Sequence, residues 1–148
     1  MTCTSTTPVI AIHGGAGTLS RSHISPEQEA NYHSALGTIL RAAQQLLANG
    51  GSALDAVSLA VEMLEDCPLL NAGLGAVFTR DATHELDAAV MNGADLRAGA
   101  VAGVSHIRRP VRAARAVMEH SEHVLLIGAG AEQFAQMVDS PRPEGAKD

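Results

Sequence analysis

An apolar run over residues 8–12 halts at His13-Gly14-Gly15-Ala16-Gly17. A short apolar run bounded by glycines reads as a buried strand feeding a glycine-rich turn. Helical spacing follows, with Tyr32, Leu36, Leu40, Ala43 and Leu47 on one face. Ser25 stands at the N-cap, Pro26 at the first helical position, and Glu27 and Glu29 in the first turn, where the helix dipole is positive. Asn49-Gly50-Gly51 supplies the stop. A second helix is predicted from Ser52, with Asp55 standing in for the longer Glu of a capping box. Its apolar face is Val57, Ala60, Val61 and Leu64, and Pro68 forces its end. Residues 69–75 place Asn71, Gly73 and Gly75 among small apolar side chains, which predicts an ordered loop with an accessible backbone.

The pattern then shifts toward the strand period. Residues 85–91 alternate loosely, Asn92-Gly93 is a hairpin signal, and 96–107 is long enough for the return strand. Arg108-Arg109-Pro110 opens a helix whose apolar face is Val111, Ala114, Val117 and Met118. A strand over 123–127 and a short helix over 130–137 follow, then a polar tail over 139–148. Strand, two helices, hairpin, helix, strand, helix is the order of an α/β (α+β) chain with sheet and helices in layers.

Composition narrows the classes. With 148 residues, 46% of them hydrophobic, the chain can bury one substantial core, and nothing demands a second domain. Aromatic residues make up only 2%, so that core is built from Ala, Val, Leu, Ile and Met. Sixteen acidic against ten basic residues give a net charge of −6, which repels phosphate backbones and argues against a nucleic-acid partner. No segment has the length and apolarity needed to cross a bilayer, and no basic stretch followed by a long apolar one opens the chain, so no membrane partner and a cytoplasmic location are expected. Cys3 and Cys67 form no redox or metal-ligand spacing, and the seven histidines show no zinc spacing; His120 and His123 read as solvated.

Two segments carry candidate chemistry by themselves. The glycine turn at 13–17 is either an ordinary strand-to-helix loop or an anion-approach loop, since glycines let backbone amides come close to negative charge. The His-Gly-Gly oxyanion loop of lipase-type hydrolases would need a Gly-x-Ser-x-Gly elbow, which this sequence does not contain. VLLIGAG at 124–130 resembles the start of a dinucleotide-binding unit, but Gln133 stands at the third glycine position and no ribose-binding acid and strand follow.

Together, IAIHGGAG (10–17), EDCPLLNAGLGAVFTRD (65–81) and ELDAAVMNG (85–93) resemble the α subunit of isoaspartyl peptidases, also called plant-type L-asparaginases. The likeness continues through 96–106 and the helix ending ARAVME at 119, and covers residues 9 to about 134. The family consists of N-terminal nucleophile hydrolases, so the resemblance implies a four-layer αββα sandwich, of which this chain is the α-subunit half. It also implies a precursor that cuts itself before a threonine. That cut has a chemical purpose: the freed α-amine, whose pKa is ordinarily about 7.7–8.0, serves as base for the threonine hydroxyl. On this reading residues 1–7 are a disordered leader, 8–137 the α-subunit portion, and 138–148 a flexible linker ending at the cleavage point, Asp148, with the threonine expected after it.

The resemblance further implies a structural sodium ion wrapped by the main-chain carbonyls of Leu64, Glu65, Cys67, Leu70, Ala72 and Leu74, and no organic cofactor. Leu70 replaces an aromatic residue common in relatives. Asn71 is expected to reach toward the nucleophile, and Gly14 and Gly15 to pack near the cleavage site. The nucleophile, the oxyanion donors and the residues that hold substrate belong to the β subunit, with which this chain would form an (αβ)2 heterotetramer. Expected substrates are isoaspartyl (β-aspartyl) dipeptides and L-asparagine. The alternatives are a glycosylasparaginase-like amidase, a nucleotide-binding module, or a binding protein that kept the fold without the chemistry. Two features depart from the family: the segment after residue 136 is short, and Arg109 replaces a common asparagine. Arg108, Arg109, Arg112 and Arg115 thus cluster at a helix start, against the dipole, where a partner carboxylate is expected to relieve them.

Overall fold

Helix α1, Pro26–Ala48, begins where the sequence stores the most local information. Ser25 Oγ accepts from the Gln28 backbone N–H at 3.1 Å while Ser25 N–H donates to Gln28 Oε1 at 2.9 Å. This full capping box satisfies two amides that a helix start otherwise leaves orphaned, a contribution of about 1 kcal/mol. The helix ends at Asn49, after which Gly50 takes φ +86 and Gly51 N–H bonds Leu46 O. Helix α2, Ala53–Glu65, starts from Ser52, whose Oγ accepts from Asp55 N–H and donates to Asp55 Oδ2.

The computed structural model describes residues 7–14 and 24–139, which fall into two compact units dividing after Gly75. Gly15 and Asp148 lie outside the described residues, as do all of 1–6 and 140–148. Among the described residues the class is mixed α/β, with four α-helices and one three-stranded sheet. No described helix is long and apolar enough to cross a membrane.

In the first unit α1 packs on α2 through Ile39, Ala43, Ala56 and Ala60, with Ile10, Ile12, Leu46, Leu47, Met63 and Leu64 around them. Three of the four central residues are alanines, which let the helix backbones approach. The buried stripe of α1 is centred on Ile39 and Ala43, so Tyr32, Leu36, Leu40 and Leu47 flank it half-buried. On α2 the buried line is Ala56 and Ala60, and Val57 stays 39% exposed instead of facing inward. Residues 8–12 form no strand, contrary to their apolar pattern. A strand needs a ladder partner, and the described ladders join other segments; Ile10 and Ile12 lie on the helix pair instead.

The second unit comprises β1 (Leu86–Met91), β2 (Ala98–Val104), α3 (Pro110–His120), β3 (Leu125–Ile127) and α4 (Gly128–Asp139). Strands β1 and β2 are antiparallel, and β2 and β3 are parallel, joined through α3 as a crossover. The hairpin turn is longer than a two-residue Asn-Gly turn. Asn92 N–H bonds Arg97 O, Leu96 N–H bonds Asn92 O, and Leu96 itself takes φ +62. A bulge falls between the Leu86–Val104 and Ala88–Val101 pairs, where Gly103 takes φ +62 and donates its N–H to Asp87 Oδ1 at 2.8 Å. Strand β2 stops at Val104, short of 107, because Ser105 and His106 N–H leave the ladder for a side chain of α4. Strand β3 is confined to three residues, and α4 starts earlier and ends later than 130–137.

Helix α3 lies directly on β2. A Cβ added to Gly99 would stand 2.2 Å from Ala114 O and 2.5 Å from Met118 N, so only glycine permits this approach. Val90, Val101, Val104, Val111, Ala114, Val117, Met118 and Ala131 form the core of the unit. The opposite face of the sheet is apolar and open. Met91 is paired with Ala98, Leu125 with Ala100 and Ile127 with Ala102, while Leu125 is 52% and Ile127 66% exposed.

Candidate functional site

The site is built where α2 ends. Its C-cap is Asp66, and from there the chain doubles back in a series of tight turns. Cys67 N–H bonds Leu64 O at 3.1 Å, Leu70 N–H bonds Cys67 O at 3.3 Å, Ala72 N–H bonds Leu70 O at 2.8 Å, and Gly75 N–H bonds Ala72 O at 3.1 Å. Residues Gly73–Gly75 form a single 3-10 turn, with Gly73 at φ +50. A Cβ on Gly73 would lie 2.2 Å from Glu65 O, and one on Gly75 would lie 2.1 Å from Leu70 O and 2.8 Å from Pro68 O. Glycine is required at both places because the turns close over these carbonyls.

The chemistry of this loop is that of main-chain oxygen. Each carbonyl carries two lone pairs, so an oxygen that accepts one amide retains acceptor capacity. Leu64, Cys67, Leu70 and Ala72 each accept one loop amide, and Glu65 O lies against Gly73. A compact set of such oxygens suits a hard cation. Of the side chains on these residues, Glu65 and Leu70 are buried, Leu74 and Asn71 are exposed, and Cys67 is a half-buried free thiol.

The glycine segment meets this loop. A methyl added to Gly14 would stand 3.0 Å from Leu36 Cδ2 on α1 and 3.2 Å from Leu70 Cδ2 in the loop. Two segments singled out by sequence, the glycine turn and the 64–74 loop, are therefore brought together at Gly14 and Leu70. Leu36 was legible only as part of a helix face, and no sequence signal marked it as the other neighbour of Gly14.

The arginines start α3 in the second unit. Arg108, Arg109 and Arg112 line a cleft of about 680 Å³ that they share with His106, Glu132 and Asp139, while Arg115 pairs with Glu119 at 2.8 Å one turn further on. Two carboxylates of α4, Glu132 and Asp139, thus line the same cleft as three of the four arginines. Glu132 is the residue that sequence missed: Oε1 accepts from Ser105 N–H at 2.7 Å and His106 N–H at 3.0 Å, and the His106 ring lies 3.1 Å from Oε2. The two backbone amides, then the His106 ring, hold its carboxyl below the usual carboxylate range.

Fold and site together define a mixed α/β chain in which Gly14 packs on a tightly turned, glycine-dependent loop. Residues 6–147 match the family model described as Asparaginase. The chain is 64% identical over 127 residues to the isoaspartyl peptidase of Escherichia coli strain K12, covering 86% of this chain and 40% of that protein. It is 47% identical over 132 residues to the plant-type L-asparaginase of Pyrococcus furiosus, covering 89% and 42%. It is 42% identical over 139 residues to the isoaspartyl peptidase/L-asparaginase of Rattus norvegicus, covering 94% and 40%. This chain belongs to the asparaginase family of isoaspartyl peptidases and plant-type L-asparaginases. It spans about 40% of the length of the curated relatives it matches.

Proposed function

We propose that the chain is the α-subunit portion of a threonine-nucleophile amidohydrolase that hydrolyses isoaspartyl dipeptides and L-asparagine. The observation that carries the reading is the 64% identity over 127 residues to an isoaspartyl peptidase, a span that takes up most of the chain. The packing of Gly14 on the 64–74 loop supports it, because it joins two of the three motifs that the family resemblance rests on.

The β portion, released by self-cleavage of a common precursor, begins with the catalytic threonine. Its hydroxyl, deprotonated by its own α-amine, attacks the side-chain amide carbonyl; the amine or ammonia leaves, and water releases aspartate from the acyl-enzyme. This chain supplies the framework. By the family resemblance Gly14 and Gly15 belong to the glycine loop near the cleavage site, and Asn71 reaches toward the nucleophile from the loop. The main-chain carbonyls of Leu64, Glu65, Cys67, Leu70, Ala72 and Leu74 would hold a sodium ion, whose charge would stabilise the loop. No organic cofactor takes part.

The open apolar face formed by Met91, Leu125 and Ile127 favours the αββα sandwich, in which a second sheet from the β portion covers it. Two such αβ pairs assemble as an (αβ)2 heterotetramer acting in the cytoplasm. Intact-mass analysis of the denatured protein, purified from the cells that make it, tests the proposal. Two chains are expected, the second beginning with threonine, together with release of aspartate from an isoaspartyl dipeptide. A single uncleaved polypeptide that hydrolyses neither substrate would overturn it.

A further inference from the structure

Gly14 has no side chain of its own to fix its backbone. Glycine loses the most conformational freedom on ordering, and its place is set by whatever packs against it. Two leucines do so. Leu36 Cδ2 approaches from α1, and Leu70 Cδ2 and Cδ1 approach from the loop, at 3.0, 3.2 and 3.5 Å from the position a Gly14 methyl would take. Leu70 is 4% exposed, whereas the side chains flanking it in sequence, Leu69 and Asn71, are exposed.

Leu70 is held from both ends. Its carbonyl accepts Ala72 N–H at 2.8 Å and is covered by Gly75, while its side chain lies on Gly14. The helix-pair cluster centred on Ile39, Ala43, Ala56 and Ala60, with the apolar side chains around it, is a separate grouping from the Leu36–Gly14–Leu70 contact. We propose that Leu70 is a positioning residue: with Leu36 as the opposing jaw, it clamps Gly14 and transmits the shape of the 64–75 turn to the Gly14 backbone. The consequence for hydrolysis rests on the proposed function; the clamp itself does not.

The test reads the two separately. With leucine methyls labelled, NMR of the protein as isolated should show nuclear Overhauser contacts from the Leu70 and Leu36 δ-methyls to the Gly14 α-protons. The Gly14 resonance should shift or broaden in Leu70→Ala and Leu36→Ala, but not in Val117→Ala, a core truncation on α3. In the assembled enzyme Leu70→Ala should lower kcat about tenfold with KM within about twofold, because misplacement of a site element by about 1 Å costs one to two orders of magnitude. Leu70→Met, which conserves volume, should restore kcat to within about twofold. Absent contacts, or a Gly14 resonance indifferent to Leu70→Ala, would overturn the clamp. A kcat unchanged by Leu70→Ala, or lowered equally by Val117→Ala, would overturn its positioning role. An inactive wild-type protein with the contacts present would sink the hydrolase reading and leave the clamp standing.

Discussion

The backbone of Gly73 lies so close to the carbonyl of Glu65 that a Cβ added there would sit 2.2 Å from the oxygen. Gly73 also takes φ +50, a left-handed conformation that costs an L-residue about 1–2 kcal/mol. Neither partner is the far end of a flexible side chain, so the turn itself would have to open. Gly73→Ala is therefore expected to destabilise the first unit by about 2–4 kcal/mol, the sum of backbone strain and overpacking. Gly75→Ala, facing Leu70 O at 2.1 Å, should cost a similar amount through the clash. Chemical denaturation read at the first unit decides it; unchanged midpoints would mean that the loop is not closed as described.

Two glycines of β2 should behave in opposite ways. At Gly99 an added methyl meets Ala114 O and the Met118 backbone, so Gly99→Ala should separate α3 from the sheet and cost about 3 kcal/mol or more. At Gly103 nothing lies within 4 Å, and only φ +62 opposes a side chain, so Gly103→Ala should cost about 1 kcal/mol. Paired thermal unfolding curves test the contrast, and equal losses would count against the close contact of α3 and β2.

Glu132 makes the second unit sensitive to acid. Its carboxyl is held below the ordinary carboxylate range by the amides of Ser105 and His106, then by the His106 ring. A depressed folded pKa means that this contribution is complete above the unfolded-state pKa and is lost as pH falls through the folded one. Acid unfolding should thus steepen below the usual carboxylate range, and Glu132→Gln should flatten that limb while lowering stability at neutral pH. An unaltered acid limb in the variant would assign the pH dependence to other carboxylates.

A cation held by the 64–74 loop should be visible without any activity assay. A ligand that binds only the folded state stabilises it by RT ln(1 + [L]/Kd), about 2.7 kcal/mol at a hundredfold excess over Kd. The Tm should rise and saturate with sodium chloride but not with choline chloride at equal ionic strength. Equal responses to the two salts would reduce the effect to screening and remove the ion from the loop.

The elements that were legible in the sequence are those whose determinants are local. Ser25 and Pro26 mark the start of α1, Gly50 its end, Ser52 the start of α2 and Pro110 that of α3, because caps and turns are settled within three or four residues. The motifs carried the family, and the 64–75 loop stands where the glycines placed it. Helix rotation was less legible: spacing selects a stripe, but Ile39 and Ala56 become central only because two helices meet there.

What the sequence by itself determined was therefore the helices, the hairpin, the glycine positions and the kinship with asparaginases. Only the tertiary structure decided that residues 8–12 lie on a helix pair without forming a strand, since an apolar run records a need for burial and not the partner that meets it. It also decided that β2 yields two amides to Glu132, and that Leu70 reaches Gly14. Those contacts join residues distant in the chain, and no local pattern encodes them because each side chain would be equally at home against another neighbour of the same size and polarity.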